Sequence, residues 1–196
     1  MDLSTSLNSI RIMPRRILIV DDRPKRPSLH LNAKELDALR SLVTMSETLE
    51  VEDLEQYDLI AVHRSYVINK GFGDHLDSLI KKNGLYVILF SGGIGQPTIS
   101  SNGHMAIIGS DLFYSKNLID FCKDLSESDS IQLYKLVYGV GKWQLPLYAR
   151  LRQLQWIDPS GFDFDYSQER KSIMNSLLLN STDEIPEAIN RLVLGL

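Results

Sequence analysis

Four short, mostly apolar runs rich in β-branched and aromatic residues set the strongest limit on how this chain folds: Ile17–Val20, Tyr57–Val62, Leu85–Phe90 and Met105–Ile108. Successive side chains of a strand point to opposite faces, so a continuously apolar run is buried on both. That is the habit of strands in parallel sheets covered by helices. Helical spacing fills the gaps: Leu36, Leu39, Leu42 and Val43 over Ala33–Val43 with Asn32 as cap, Phe72, Leu76, Leu79 and Ile80 over Phe72–Lys82, and Leu118, Ile119, Phe121, Cys122 and Leu125 over Asn117–Leu125. Asn83-Gly84 stops the second helix. With a weaker strand at Thr48–Val51, the pattern predicts an α/β domain over residues 16–126, its mostly parallel five-stranded sheet carrying helices on both faces. Residues 96–103 read as an irregular loop, and the short link from Ser91 to His104 leaves the direction of the last strand open.

Residues 1–15 are a polar lead-in, and beyond Ser126-Glu-Ser-Asp-Ser130 the pattern becomes helical, over roughly 130–139, 143–157, 167–180 and 184–194. Residues 127–196 are therefore expected to form an all-helical C-terminal unit, with Asp158–Tyr166 as a loop. In this tail Tyr134, Tyr138, Trp143, Tyr148 and Trp156 alternate with Lys135, Lys142, Arg150 and Arg152, and Ile185, Ile189, Leu192 and Leu194 make its end too apolar to float free. Some of these residues must build the tail's own interior. Trp143, Tyr148, Arg152, Trp156 and Leu192 are the candidates for gripping a protein partner, or a second copy, because aromatic and arginine side chains are enriched in binding hot spots.

Composition narrows the class. The chain has 196 residues, 43% of them hydrophobic and 23% charged, with a formal charge of −4. This matches an ordinary globular protein and gives no overall electrostatic case for nucleic acid, which is not an expected partner. Six basic residues against three acidic ones in residues 1–30, followed by two against eight in residues 31–60, do suit a charged partner face. A single Cys122 excludes an internal disulfide and a cysteine-rich metal site. No apolar run approaches the roughly 20 residues that span a bilayer, and MDLSTSLNSI carries no basic and apolar export signal. A cytoplasmic protein without membrane attachment is the expectation.

The chemistry-bearing residues gather at the carboxyl ends of the strands, where ligands of open α/β sheets sit. Asp21 and Asp22 follow the first strand and offer hard oxygen ligands to a cation such as Mg²⁺. In the absence of a cation, Asp22 caps the turn and Asp21 pairs with Arg23 or Arg64. His63 ends the third strand as a phosphoryl-accepting nucleophile, a general base, a metal ligand or simply a buried imidazole bonded to a facing carboxylate. Ser91-Gly-Gly-Ile-Gly95 ends the fourth, yet Gln96-Pro97 supplies neither a Walker lysine nor a dinucleotide loop.

Element order and acidic pair together resemble the receiver domain of bacterial response regulators over residues 16–125. ILIVDD is similar to that family's first strand and metal-holding acidic pair, YDLIAVHRS to its third strand, VILFSG to its fourth with Ser91 at the Ser/Thr position, and DLFYSKNLIDFCKDL to its last helix. The resemblance implies a flavodoxin- and receiver-like sheet, with a phospho-accepting aspartate at position 63 and a lysine near 111. This sequence has His63 and Asp111 there. Acyl-phosphate chemistry needs the carboxylate nucleophile and the neutralising cation. The expected function is thus a degenerate receiver, a non-catalytic signalling or scaffold module that binds a protein partner and needs no cofactor. The alternative is a metal-dependent phosphoryl-transfer or hydrolytic enzyme using Asp21, Asp22, His63 and Ser91.

Overall fold

The computed structural model describes residues 15–100, 102–128, 130–156 and 166–194, with the backbone alone at 51–53, 155, 156, 182 and 193. The lead-in before Arg15 and the 158–165 loop lie outside the described residues. The strands are β1 (Ile17–Val20), β2 (Thr44–Ser46), β3 (Leu59–His63), β4 (Tyr86–Ser91), β5 (Thr98–Ile99) and β6 (Met105–Gly109). They form one sheet in the order β2-β1-β3-β4-β6-β5, parallel throughout except for β5. The sheet has six strands where five were expected.

The paired runs behave as their patterning requires. Ile17, Ile19, Leu59, Ala61, Ile88, Phe90, Ala106 and Ile108 point into one core, which α1 (Ala33–Arg40) and α5 (Lys116–Glu127) cover with Leu39, Leu118, Phe121 and Leu125. Leu18, Val20, Ile60, Val62 and Val87 point to the other face, against Tyr66 and Val67 of α2 (Arg64–Lys70) and Leu76 and Leu79 of α3 (Gly73–Asn83). Strict alternation on two apolar faces is what makes the strands read as continuous runs. Asn32 caps α1 as expected, its side chain accepting from the Glu35 N–H while the Glu35 carboxylate accepts from the Asn32 N–H, a complete capping box. Gly84 closes α3 with φ of 66°, a left-handed turn that glycine adopts without strain.

Three local expectations need correction. The second strand lies at Thr44–Ser46 and not at Thr48–Val51; Leu49 is buried as a core contact below it, and residues 51–56 form a 3₁₀ turn. The short α2 and α4 (Ser110–Phe113) follow their strands directly and had no periodic signal of their own. The stretch after β4 is not wholly irregular: it leaves through Gly92–Pro97, returns as β5 antiparallel to β6, and turns at Ser100–His104 through a Gly103 N–H to Ser100 carbonyl bond. β6 thereby lies between β4 and β5 and runs parallel to β4, which settles the direction of the last strand.

Among the described residues after Asp129 lie the helices α6 (Leu133–Tyr138), α7 (Gln144–Trp156), α8 (Ser167–Ser176) and α9 (Ile185–Leu194), with a 3₁₀ turn at Thr182–Glu184. Leu133, Leu136 and Val137 of α6 belong to the sheet-side core, whereas its Tyr134 joins Leu147, Tyr148, Leu151, Leu154, Ile173, Leu177 and Ile185 in a third cluster. One short helix therefore stitches the tail to the sheet.

Candidate functional site

Val20 is in register with Val62, so Asp21, just past β1, and His63, the last residue of β3, stand level with one another. This is the point where the chain order on either side of β1 diverges, the natural ligand crevice of such a sheet. The Asp21 N–H bonds the Ser46 carbonyl, which extends the β1–β2 ladder by one residue and aims the carboxylate inward. Its side chain is buried, and both of its oxygens accept hydrogen bonds. Oδ1 accepts from Arg26 Nη1 at 2.7 Å and from the Arg23 N–H at 3.0 Å, and Oδ2 accepts from the Tyr114 hydroxyl at 2.8 Å. Arg26, itself buried, also stands 3.6 Å from the exposed Asp22.

The cation beside Asp21 is thus Arg26, and neither Arg23 nor Arg64 supplies it. The residue that caps the turn through a backbone N–H is Asp21 and not Asp22. Pro24 and Pro27 bracket the loop that carries Arg26 back over the strand end, and they limit the backbone freedom the loop must lose. A buried ion pair of this kind contributes little net attraction, but removing one partner strands the other charge.

Tyr114 reaches Asp21 from the far side of the sheet sequence, 93 residues away. Burial, then the Asp21 charge and hydrogen bond, push its phenol far above the usual range, so it stays a donor. Beneath it Phe90 stacks on Phe113 at 4.3 Å between ring centroids and meets the Tyr114 ring edge-on at 5.4 Å. His63 packs edge-on against the same Phe90 at 5.4 Å. Its Nδ1 lies 2.7 Å from Ser65 Oγ, so its hydrogen bond goes to the first turn of α2 and not to a facing carboxylate. Burial first, then Arg26, lower the His63 pKa below 6.5 against the opposing pull of Asp21 and Asp22, which favours a neutral imidazole.

Ser91 is half-exposed at the end of β4 and donates to the Gly92 carbonyl at 3.3 Å, with no described bond to Asp21 or His63. The turn it opens folds over the end of β6. A Cβ at Gly109 would lie 2.7 Å from the Ile94 carbonyl and 2.5 Å from Asp111 Oδ1, which only glycine permits. Asp111 is exposed in the first turn of α4; the side chain this segment sends to Asp21 is Tyr114. The structure therefore brings Asp21, Asp22 and His63 to the same end of neighbouring strands, and Ser91 to the end of the next one.

The donor set does not fit the Mg²⁺ that the receiver resemblance implies. A hard cation draws on several carboxylate oxygens, whereas both oxygens of Asp21 already accept hydrogen bonds and a guanidinium stands 2.7 Å away. Among the described residues no group of three or more His, Cys, Asp and Glu could hold a metal ion.

In the tail, Tyr148 is buried in the third cluster, Trp143 is half-buried against it, and Arg152 is exposed. The side chain of Trp156 lies outside the described residues. Leu192 is 38% exposed on α9. It lines a groove of about 400 Å³ with Tyr148, Leu177–Leu179, Ala188 and Arg191. Arg150 clamps Glu169 with two bonds of 2.7 and 3.0 Å and thereby locks α7 to α8. Among the described residues no helix is long and apolar enough to cross a membrane.

The residues that sequence reasoning missed are Arg26, Tyr114 and Ser65. Arg26 had a visible signal in the basic run after Asp22, while the pairing of Tyr114 depends on the third dimension. Comparisons with protein-family models, with curated proteins and with solved structures each found no match to this chain.

Proposed function

We propose that this chain is a non-catalytic, receiver-like signalling or scaffold module, with residues 16–126 as its α/β domain and residues 127–196 as an all-helical unit that binds a protein partner. One observation carries the reading: Arg26 sits between Asp21 and Asp22, where phosphoryl chemistry would need a metal ion. With Tyr114 on the remaining oxygen, both oxygens of Asp21 are bonded from within the chain. The residue level with Asp21 is an imidazole in contact with Ser65 and Phe90, a setting that holds a histidine in place and offers no acyl-phosphate nucleophile. Such a crevice fixes the shape of the strand-end surface, and the work of the molecule passes to its protein-binding faces.

The test is to incubate the folded protein with acetyl phosphate and Mg²⁺ and measure its intact mass. No phosphoryl adduct is expected on wild type. A stoichiometric adduct lost on His63→Gln would overturn the reading and favour the phosphoryl-transfer alternative.

A further inference from the structure

We propose that the cavity between α8 and the amino ends of β4 and β6 binds a free mononucleotide, its base against Tyr86 and His104 and its phosphate on Lys171. The site lies at the opposite end of the sheet from Asp21 and stands independently of the reading of that crevice. The register of Val87 with Met105 sets Tyr86, the first residue of β4, beside His104, which precedes β6. Their rings stack with centroids 4.4 Å apart and 21° between planes. Both line a cavity of about 410 Å³, a size within the range of small-molecule sites. Its far wall is one stripe of α8, formed by Gln168, Lys171, Ser172 and Asn175 at spacings of three and four residues. The turn before His104 approaches this helix so closely that a Cβ on Gly103 would stand 3.3 Å from Ser172 Oγ.

The lining chemistry selects the guest. Ile173 and Leu177 turn the apolar face of α8 to the tail's own core, so the polar stripe on the cavity holds no core together and is free to serve a ligand. Among the described lining residues there is no carboxylate, in a chain with 25 acidic residues against 21 basic ones, and Lys171 supplies the one formal charge. Other cavities differ: Glu184 and Glu187 line the groove beside Leu192, and Glu55 and Asp58 line the one beside Arg16. A wall that keeps one ammonium and excludes acids suits an anion. Gln132, Gln168 and Asn175 each offer a donor and an acceptor side by side, the complement of a base edge. The aromatic pair supplies the flat surface on which a base of any kind stacks. His104 adds a donor. Its Nδ1 is buried without a hydrogen-bond partner, so a proton there would be stranded, and the neutral ring carries it on Nε2. A neutral sugar would leave Lys171 unused, and inorganic phosphate would leave the rings unused, whereas a base joined to a phosphate meets both.

The experiment is an amide NMR titration of the full chain with AMP, GMP, CMP and UMP in turn. At least one should bind saturably with a dissociation constant of about 1 mM or tighter, the largest shifts falling at His104, Lys171 and Asn175. Lys171 is exposed, so Lys171→Ala keeps the fold. It should weaken that nucleotide about tenfold and leave the matching nucleoside, which lacks the phosphate, unchanged. Asn175→Ala should weaken nucleotide and nucleoside alike. The proposal is overturned if none of the four binds saturably up to about 10 mM, or if Lys171→Ala binds the nucleotide as wild type does. Saturation centred on Asp21 and His63 would overturn it as well, since the ligand would then sit at the other end of the sheet.

Discussion

Asp21 takes its meaning from the residues it touches. A carboxylate at a strand end binds a metal through its lone pairs, and here Arg26, Tyr114 and the Arg23 N–H already bond to both of its oxygens. His63 feels the same cluster. Burial and Arg26 lower its pKa, so on lowering the pH the unfolded chain takes up its proton before the folded chain does. The stability it contributes is complete above about 6.5, the ordinary imidazole value, and is lost as the pH falls through that value toward the lowered one. The melting temperature of wild type should therefore decline with acidification between about pH 8 and 5. His63→Gln should flatten that decline. Equal slopes for the two proteins would show that another group is responsible.

At the scale of elements, the strands and long helices were legible because burial wrote them into the sequence. Ile17–Val20 and Leu59–Val62 are apolar at each position since both sheet faces are covered, and Leu118, Phe121, Cys122 and Leu125 keep helical spacing since one face of α5 is covered. β2 was misplaced because Thr44–Ser46 sits at the sheet edge with little burial, while the more apolar Leu49 fills a core position outside any strand. β5 was hidden because two residues, Thr98 and Ile99, cannot show a period. The strand-end positions of Asp21, Asp22 and His63 were legible, but the bonds around them were not. No local rule links Tyr114 to Asp21 across 93 residues. The helix α6 carries a further consequence. Leu136 is fully buried in the sheet-side core, while Tyr134, two residues earlier, lies in the tail cluster. Leu136→Ala should cost about 2–5 kcal/mol, and calorimetry should show one transition moving as a whole. Two separated transitions, with the tail's unmoved, would mean that α6 does not couple the cores.

The whole molecule joins two parts with different roles in the proposed reading. The doubly covered sheet supplies a rigid frame whose strand-end crevice is closed by its own guanidinium. The tail, tied to the frame through α6, presents the exposed apolar surface around Leu178 and Leu192. In the proposed reading Arg26 stands where a metal ion would, and amide NMR during a Mg²⁺ titration tests this most directly. Wild type should show no saturable shifts at Asp21, Asp22 or His63. Saturable shifts centred on Asp21 and Asp22 in wild type would mean that the crevice still admits a cation, and the non-catalytic reading would fall.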